Sequence, residues 1–191
     1  DLSTGDMLSY YAQRFPTVEV NNTFYRMPKP AVLADWASQV PDGFQFVLKA
    51  SRRITHFGRL KEGAQEPLQF LLESAATLGD RLGPILFQTP PNLKKDLPRL
   101  KAFLGYIPRG VRGAFEFRHE SWPDQETADV LREHDMALCI ANTEDEEPPW
   151  FATASYGYLR LRKVRYEEGE LEGWAERIRS AGWKEAFVFF K

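Results

Sequence analysis

The chain has one cysteine, three histidines and three methionines among its 191 residues. The single Cys139 cannot close an internal disulfide, and no pair or quartet of cysteines is spaced to hold zinc. It sits in the apolar run Ala137-Leu138-Cys139-Ile140-Ala141. Disulfide-free chemistry fits a reducing compartment, so a cytoplasmic location is expected. There is no excess charge of either sign: 25 basic and 27 acidic residues leave a net charge of −2. Composition therefore makes no global case for nucleic acid or an anionic membrane, although a local basic patch would still serve nucleic acid. No apolar run approaches the roughly 20 residues that cross a bilayer as a helix, and Asp1-Leu2-Ser3-Thr4-Gly5-Asp6 does not resemble a signal peptide. Also missing are a glycine-rich phosphate loop, a GxSxG elbow, and the HxH and HExxH metal spacings. Nothing in the composition sets an oligomeric state.

What is present is an alternation of short strands and helices. The organising stretch is Thr17-Val18-Glu19-Val20-Asn21-Asn22-Thr23-Phe24-Tyr25. Read as a strand, it places Val18 and Val20 on one face and Glu19 and Asn21 on the other. Further strands are expected at Phe44–Lys49, Ile85–Gln88, Gly113–Arg118, Met136–Ala141, Tyr156–Arg162 and Ala186–Phe190. Helices are expected at Ser3–Arg14, Pro30–Gln39, Glu66–Leu78, Leu97–Leu104, Asp124–His134 and Glu170–Ala181. Ile54–Gly63 reads as a polar loop, and Glu144-Asp145-Glu146-Glu147 as a solvated charge run.

About seven strands alternating with helices predict βαβ units, a parallel sheet and one domain over residues 1–191. Strands buried on both faces of an open sheet should be almost continuously apolar. Here Glu19, Asn21, Lys49, Gln88, Glu116, Arg118, Arg160 and Arg162 occupy the polar phase of their strands. Their neighbours Val18, Val20, Leu48, Phe87, Phe115, Phe117, Leu159 and Leu161 occupy the apolar phase. A (β/α)8 TIM-like barrel accounts for this, with apolar residues under the helices and polar ones turned to the axis near the C-terminal strand ends. The helix before the first strand, and the stop directly after the last, suggest that a first strand is missing ahead of Asp1.

Several of these stretches, taken in order, resemble the family called domain of unknown function 72. They are Val18–Tyr25, Lys49–His56, Leu86-Phe87-Gln88-Thr89-Pro90-Pro91, Phe115–Trp122 and Tyr158–Arg162. The resemblance implies a TIM-barrel-like fold and brings no established activity. It also implies a first strand of the type Gly-Thr-Ser-Gly-Trp and a closing C-terminal helix, neither of which is present, so the chain is expected to be part of a barrel.

Candidate chemistry follows from the polar strand ends. Lys49, Arg118, Arg160 and Arg162, converging with only Glu19 and Glu116 to offset them, would hold a carboxylate or phosphate. The alternative is an internal salt-bridge network that props the barrel open. Glu19, Glu116 and His119 are candidate proton-transfer groups, and Lys49 could act instead as a Schiff-base amine. His56 and His119 follow strand ends directly, where barrel enzymes place their catalytic loops. Asn21, Tyr25, His56, Gln88 and Trp122 would join the arginines in substrate binding, Tyr25 and Trp122 by stacking or capping. Trp122 could equally plug the barrel mouth. Trp36, Trp174 and Trp183 are expected in the core, and His134 on the surface. No cofactor is required. A divalent metal, if used, would draw on Glu19, Glu116, His119 and His56, against the repulsion of the nearby cations.

The expected function is an enzyme acting on a small anionic substrate by acid–base hydrolase or lyase chemistry. The alternatives are a non-catalytic barrel that binds an anion or nucleic acid, and a metal-dependent phosphodiesterase.

Overall fold

The computed structural model describes residues 3, 5–144 and 148–190. It shows an α/β fold of parallel sheets, in two compact units, Asp1–Phe87 and Gln88–Lys191. No closed ring of strands is found among the described residues.

In the first unit, α1 (Met7–Ala12) leads into β1 (Thr17–Val20), α2 (Pro30–Ser38), β2 (Gln45–Lys49), α3 (Gln65–Ala75) and β3 (Leu82–Gln88). The three strands are parallel, β1 in register with β2 from Thr17↔Gln45 to Val20↔Leu48. Between β2 and β3 the register slips, with Phe46 opposite Leu82 but Leu48 opposite Ile85. Gly83-Pro84 supplies the extra residue, and Pro84 has no N–H to offer a ladder, which is where a bulge is tolerated. Phe44, Phe46, Leu48 and Leu33 are fully buried, and Trp36 of α2 stacks on Phe46 at 6.0 Å. Val18 and Val20, expected to be deeply packed, are only half-buried, because β1 is paired on one side alone among the described residues.

The organising stretch does not stay extended to Tyr25. Asn21–Phe24 winds into a 3-10 turn. Asn and Thr compete with a sheet ladder through their own side chains, and Thr23 Oγ1 lies 2.9 Å from Val20 O and 2.7 Å from Lys49 O. The expected polar loop is also more ordered than its composition implies. Arg53–Phe57 forms one wide turn with Ile54 and Thr55 buried, closed by Gly58 N–H donating to Arg53 O five residues back at 2.9 Å.

The second unit contains α4 (Leu97–Leu104), β4 (Gly113–Glu116), α5 (Gln125–Glu133), β5 (Ala137–Leu138), β6 (Ile140–Asn142), β7 (Gly157–Leu161), α6 (Glu168–Ser180) and β8 (Ala186–Phe190). β4 pairs with β5, and β6, β7 and β8 form a parallel sheet. The strand expected at Met136–Ala141 is split at Cys139, whose N–H donates to Phe115 O at 2.8 Å. The strand expected to reach Arg118 ends at Glu116. α4 and α5 start at aspartate caps, Asp96 accepting from Arg99 N–H and Asp124 from Thr127 N–H. Their buried faces carry Leu100 and Phe103, and Ala128 and Leu131. α6 buries none of its residues, so Trp174 is half-exposed rather than core, packed with Trp150 and Arg177. Trp183 is also half-buried and lies against the backbone of Gly157, where any Cβ would meet the indole ring at 2.4 Å. Of the acidic run, Glu144 accepts from Val164 N–H, and Asp145-Glu146-Glu147 lie outside the described residues, as does Thr4 of the first expected helix. No helix among the described residues is long and apolar enough to cross a membrane.

Tyr156 joins the start of β4 to the turn before β5. Its hydroxyl donates to Gly113 O at 2.8 Å, accepts from Gly113 N–H at 2.9 Å and stands 3.2 Å from Asp135 O. Burial, above all, raises its pKa well over the usual tyrosine value. A folded-state pKa raised above the unfolded one means that the contribution to stability is intact below about pH 10 and is lost as pH rises further. Tyr156→Phe would leave two buried backbone groups unsatisfied. The expected cost is about 1–3 kcal/mol in urea unfolding at pH 7, with a shallower loss of stability above about pH 10 than in the parent protein.

Candidate functional site

Each polar residue singled out above stands at or just beyond the C-terminal end of a strand. Glu19 is the penultimate residue of β1, Lys49 ends β2, Gln88 ends β3 and Glu116 ends β4. Arg160 is the penultimate residue of β7 and Arg162 follows it. Parallel strands put all such ends on one edge of their sheet, so a repeated local pattern becomes a cluster.

In the second unit the cluster centres on Glu116. Arg160 Nη1 donates to Glu116 Oε2 at 2.6 Å, inside the protein. The other oxygen, Oε1, lies 3.6 Å from Arg162 Nη1 and 3.9 Å from Arg118 Nε, ion-pair distances longer than a hydrogen bond. Side-chain exposure is graded: 5% for Glu116, 9% for Arg160, 31% for Arg162 and 47% for Arg118. Among the described residues, three guanidinium groups face one carboxylate, a net charge of +2 for these four side chains. The two loosely held arginines are the exposed ones, so their N–H groups can turn to an incoming anion while Arg160 keeps Glu116 in place.

Gln88 is buried beside the next strand-end residue, Thr89, whose N–H donates to Glu116 O at 3.0 Å. The Thr89 hydroxyl is buried and has no hydrogen-bond partner among the described residues. Asn142, at the end of β6, is buried too; its carbonyl accepts from Arg162 N–H at 2.9 Å, and its Oδ1 accepts from the Tyr166 hydroxyl at 2.7 Å. Sequence reasoning passed over Thr89, Asn142 and Tyr166. For Thr89 and Asn142 the signal was there, a polar side chain at a strand end; Tyr166 lies in a loop and had none.

His119 and Trp122 occupy the loop after β4. His119 Nδ1 accepts from Ser121 N–H at 3.1 Å, so the neutral ring carries its proton on Nε2 and offers a donor there. The proton-abstracting role expected of His119 would require the opposite tautomer and the loss of that bond. Trp122 is fully buried, stacks on Phe117 at 4.2 Å, and its indole N–H donates to Leu93 O at 2.7 Å. It packs beneath the loop, where no ligand face is left, so the stacking role expected of it is not the one its position gives it. Ser121 Oγ accepts from Lys95 N–H at 2.8 Å, and the Lys95 ammonium pairs with Asp124 and Glu126. These bonds hold the loop after β3 to the loop after β4, the two that flank Glu116.

In the first unit, Glu19 Oε1 accepts from Asn21 Nδ2 at 3.0 Å. Lys49 Nζ lies 4.6 Å from the centre of the Phe24 ring, a cation–π contact. Phe24 also meets Tyr25 and His56 edge to face at 5.0 and 4.9 Å. His56 Nδ1 is 2.9 Å from Thr55 Oγ1. Tyr25 is exposed, with the Arg52 guanidinium 5.8 Å from its ring. The 3-10 turn therefore brings Asn21 to Glu19 and Phe24 to Lys49 and His56; the missed residue is Phe24, whose ring Tyr25, Lys49 and His56 share. Among the described residues no three His, Cys, Asp or Glu side chains gather to hold a metal ion.

A model of the family "Protein of unknown function DUF72" matches residues 1–191. The chain is 34% identical over 113 residues to the UPF0759 protein YecE of Escherichia coli (strain K12), covering 59% of this chain and 41% of that protein. It is 30% identical over 126 residues to the UPF0759 protein YunF of Bacillus subtilis (strain 168), covering 60% of this chain and 43% of that one. The chain thus matches about two fifths of the length of these curated relatives. Among solved structures, a DUF72 family protein from Thermotoga maritima MSB8 superposes with a TM-score of 0.84 at 26% identity, over 100% of this chain and 84% of that one. Another, from Enterococcus faecalis V583, superposes at 0.81 and 20% identity, over 97% and 81%.

Two outcomes follow. Glu116→Gln removes the buried carboxylate that Arg160 bonds and is expected to cost about 3–5 kcal/mol in denaturant unfolding, whereas Arg118→Gln, at an exposed position, should cost under about 1 kcal/mol. Asp124 is the second test. Burial pushes its carboxyl up, but the bonds from Lys95 and Thr127 outweigh this and hold the pKa below the usual value. A lowered folded-state pKa gives stability that is present above about pH 4 and lost as pH falls through the folded value. Asp124→Ala should lose about 1 kcal/mol of capping. Asp124→Asn should keep the cap and show a flatter decline below about pH 4 in thermal melts.

Proposed function

The chain belongs to the DUF72 family of proteins of unknown function, and from its Glu116–arginine cluster we propose that it binds a small phosphate- or carboxylate-bearing substrate at its strand ends and acts on it by acid–base hydrolase or lyase chemistry. The observation that carries this reading is the pair of loosely held arginines, Arg118 and Arg162, at the exposed side of Glu116, in a group that counts three guanidinium groups to one carboxylate among the described residues. A substrate oxyanion between Arg118 and Arg162 would offset that charge and take up guanidinium donors that now lie 3.9 and 3.6 Å from Oε1. Their withdrawal would leave Oε1 as the oxygen able to accept a proton, while Oε2 stays fixed by Arg160. His119 Nε2–H would add a neutral donor for a developing negative charge.

We place this chemistry in a (β/α)8 barrel. Parallel strands alternating with helices and polar residues repeated at the C-terminal strand ends support that fold. A second reading, a protein that holds an anion without turning it over, draws support from the same ion pairs, since in this structure Glu116 is already occupied by arginines.

Titration of the intact protein with inorganic phosphate, followed by calorimetry, tests the reading. One phosphate per chain is expected, weakening with salt, and Arg162→Gln should weaken it by about tenfold or more, the worth of one charge-assisted hydrogen bond. No binding, or equal binding by an Arg118→Gln/Arg162→Gln variant, would remove the anion site and both readings with it. Phosphate binding without turnover of any phosphomonoester, phosphodiester or carboxylate ester would leave the non-catalytic reading.

A further inference from the structure

The unit Asp1–Phe87 contains an open cavity of about 820 Å3 that shares no residue with the Glu116 cluster. Its size is within the range of small-molecule sites, about 300–1,000 Å3. The apolar part of its lining is Met27, Phe57, Pro67 and Phe70. Phe57 is 69% exposed and Phe70 45% exposed, so two aromatic rings that line the cavity are open to water. Grouped exposed apolar surface with a polar rim marks a binding site more often than scattered single residues do.

The charges around the cavity have one dominant sign. Lys29, Arg53 and Lys61 line it with a single carboxylate, Glu66. No ion pair involving any of these four is found among the described residues. The cavity therefore presents a net charge of +2 beside an aromatic wall.

That wall is built on constrained backbone. Arg53 and Phe57 are the first and last residues of the wide turn, a turn type that recurs at functional sites. A Cβ at Gly58 would lie 2.7 Å from Arg53 O, so the turn demands glycine there. Arg59 and Leu60 then take positive φ values of 50° and 57°. Backbone of this kind costs energy and persists where its surroundings over-determine it. Here the burial of Ile54 within the turn and of Leu60 after it holds it.

We infer that this cavity is a binding site for an organic anion with an apolar body, an aryl or alkyl group bearing a carboxylate, sulfonate or phosphate. The rings of Phe57 and Phe70 and the Met27 side chain receive the apolar body, and Arg53, Lys61 and Lys29 receive the charged head. Both parts are needed: three hydrated surface cations alone would hold an anion weakly, and the rings alone would not select one.

The test uses two dyes that differ in charge, 8-anilinonaphthalene-1-sulfonate and its uncharged counterpart N-phenyl-1-naphthylamine, titrated into the intact folded protein by fluorescence and calorimetry. The sulfonate is expected to bind at one site per chain, and Arg53→Glu to weaken it by about tenfold or more through charge reversal beside the head group. N-phenyl-1-naphthylamine should bind more weakly and be insensitive to Arg53→Glu. Phe57→Ser, at an exposed position, should weaken both dyes, and Arg162→Gln should change neither. Equal affinity for the two dyes, or sulfonate binding unmoved by an Arg53→Glu/Lys61→Glu variant, would overturn the inference. Sulfonate binding lost in Arg162→Gln would assign the dye to the Glu116 cluster and overturn it equally. Because the Glu116 cluster is read by phosphate and Arg162, either site can fail without the other.

Discussion

The ion pair between Glu116 and Arg160 is the constraint on which the second unit depends. Both side chains are buried, and neither charge could remain there alone. A buried guanidinium needs a carboxylate in a fixed place, so β4 must end where Glu116 meets β7, and β7 must present Arg160 at the matching height. The 2.6 Å bond satisfies one carboxylate oxygen and leaves the other to the looser arginines. Local stability and the proposed anion affinity therefore rest on one carboxylate with two unequal oxygens.

Around that pair the fold spends few polar groups without partners. Thr89 and Asn142 bring backbone bonds to Glu116 and to Arg162. Trp122, Ser121 and Lys95 bind the two adjacent loops together through an indole N–H, a hydroxyl and an ion pair. A loop carrying positively charged side chains would otherwise open towards water. Fastening it by groups beneath and beside it leaves Arg118 and Arg162 to face solvent. The first unit is built differently: a 3-10 turn and a wide turn after β1 and β2 present aromatic rings and cations together, Phe24 with Lys49, and Phe57 with Arg52.

Much of this was legible in the chain. Strands and helices fell where alternating and helical apolar spacing placed them, and the polar residues at strand ends were marked by type and position. Three kinds of feature were not. Asn21–Phe24 reads as strand because alternation cannot distinguish an extended segment from a turn closed by its own side chains. Arg53–Leu60 reads as a polar loop because the burial of Ile54, Thr55 and Leu60 depends on packing that no local pattern encodes. Trp122 reads equally as a cap or a plug, and only its stacking on Phe117 and the bond from its indole N–H to Leu93 O show that it packs beneath its own loop.

By itself the sequence determined the parallel α/β class, the order of elements, and the fact that charged residues close the strands. These follow from the spacing of apolar side chains and the two backbone periodicities, which are local properties of the chain. Only the tertiary structure decided that Arg160 rather than Arg118 or Arg162 is the buried partner of Glu116, that His119 Nδ1 accepts from Ser121 N–H, and that Phe57 and Phe70 share one cavity with three cations. Each of these depends on distances between residues far apart in the chain, and on which of several like side chains loses its water.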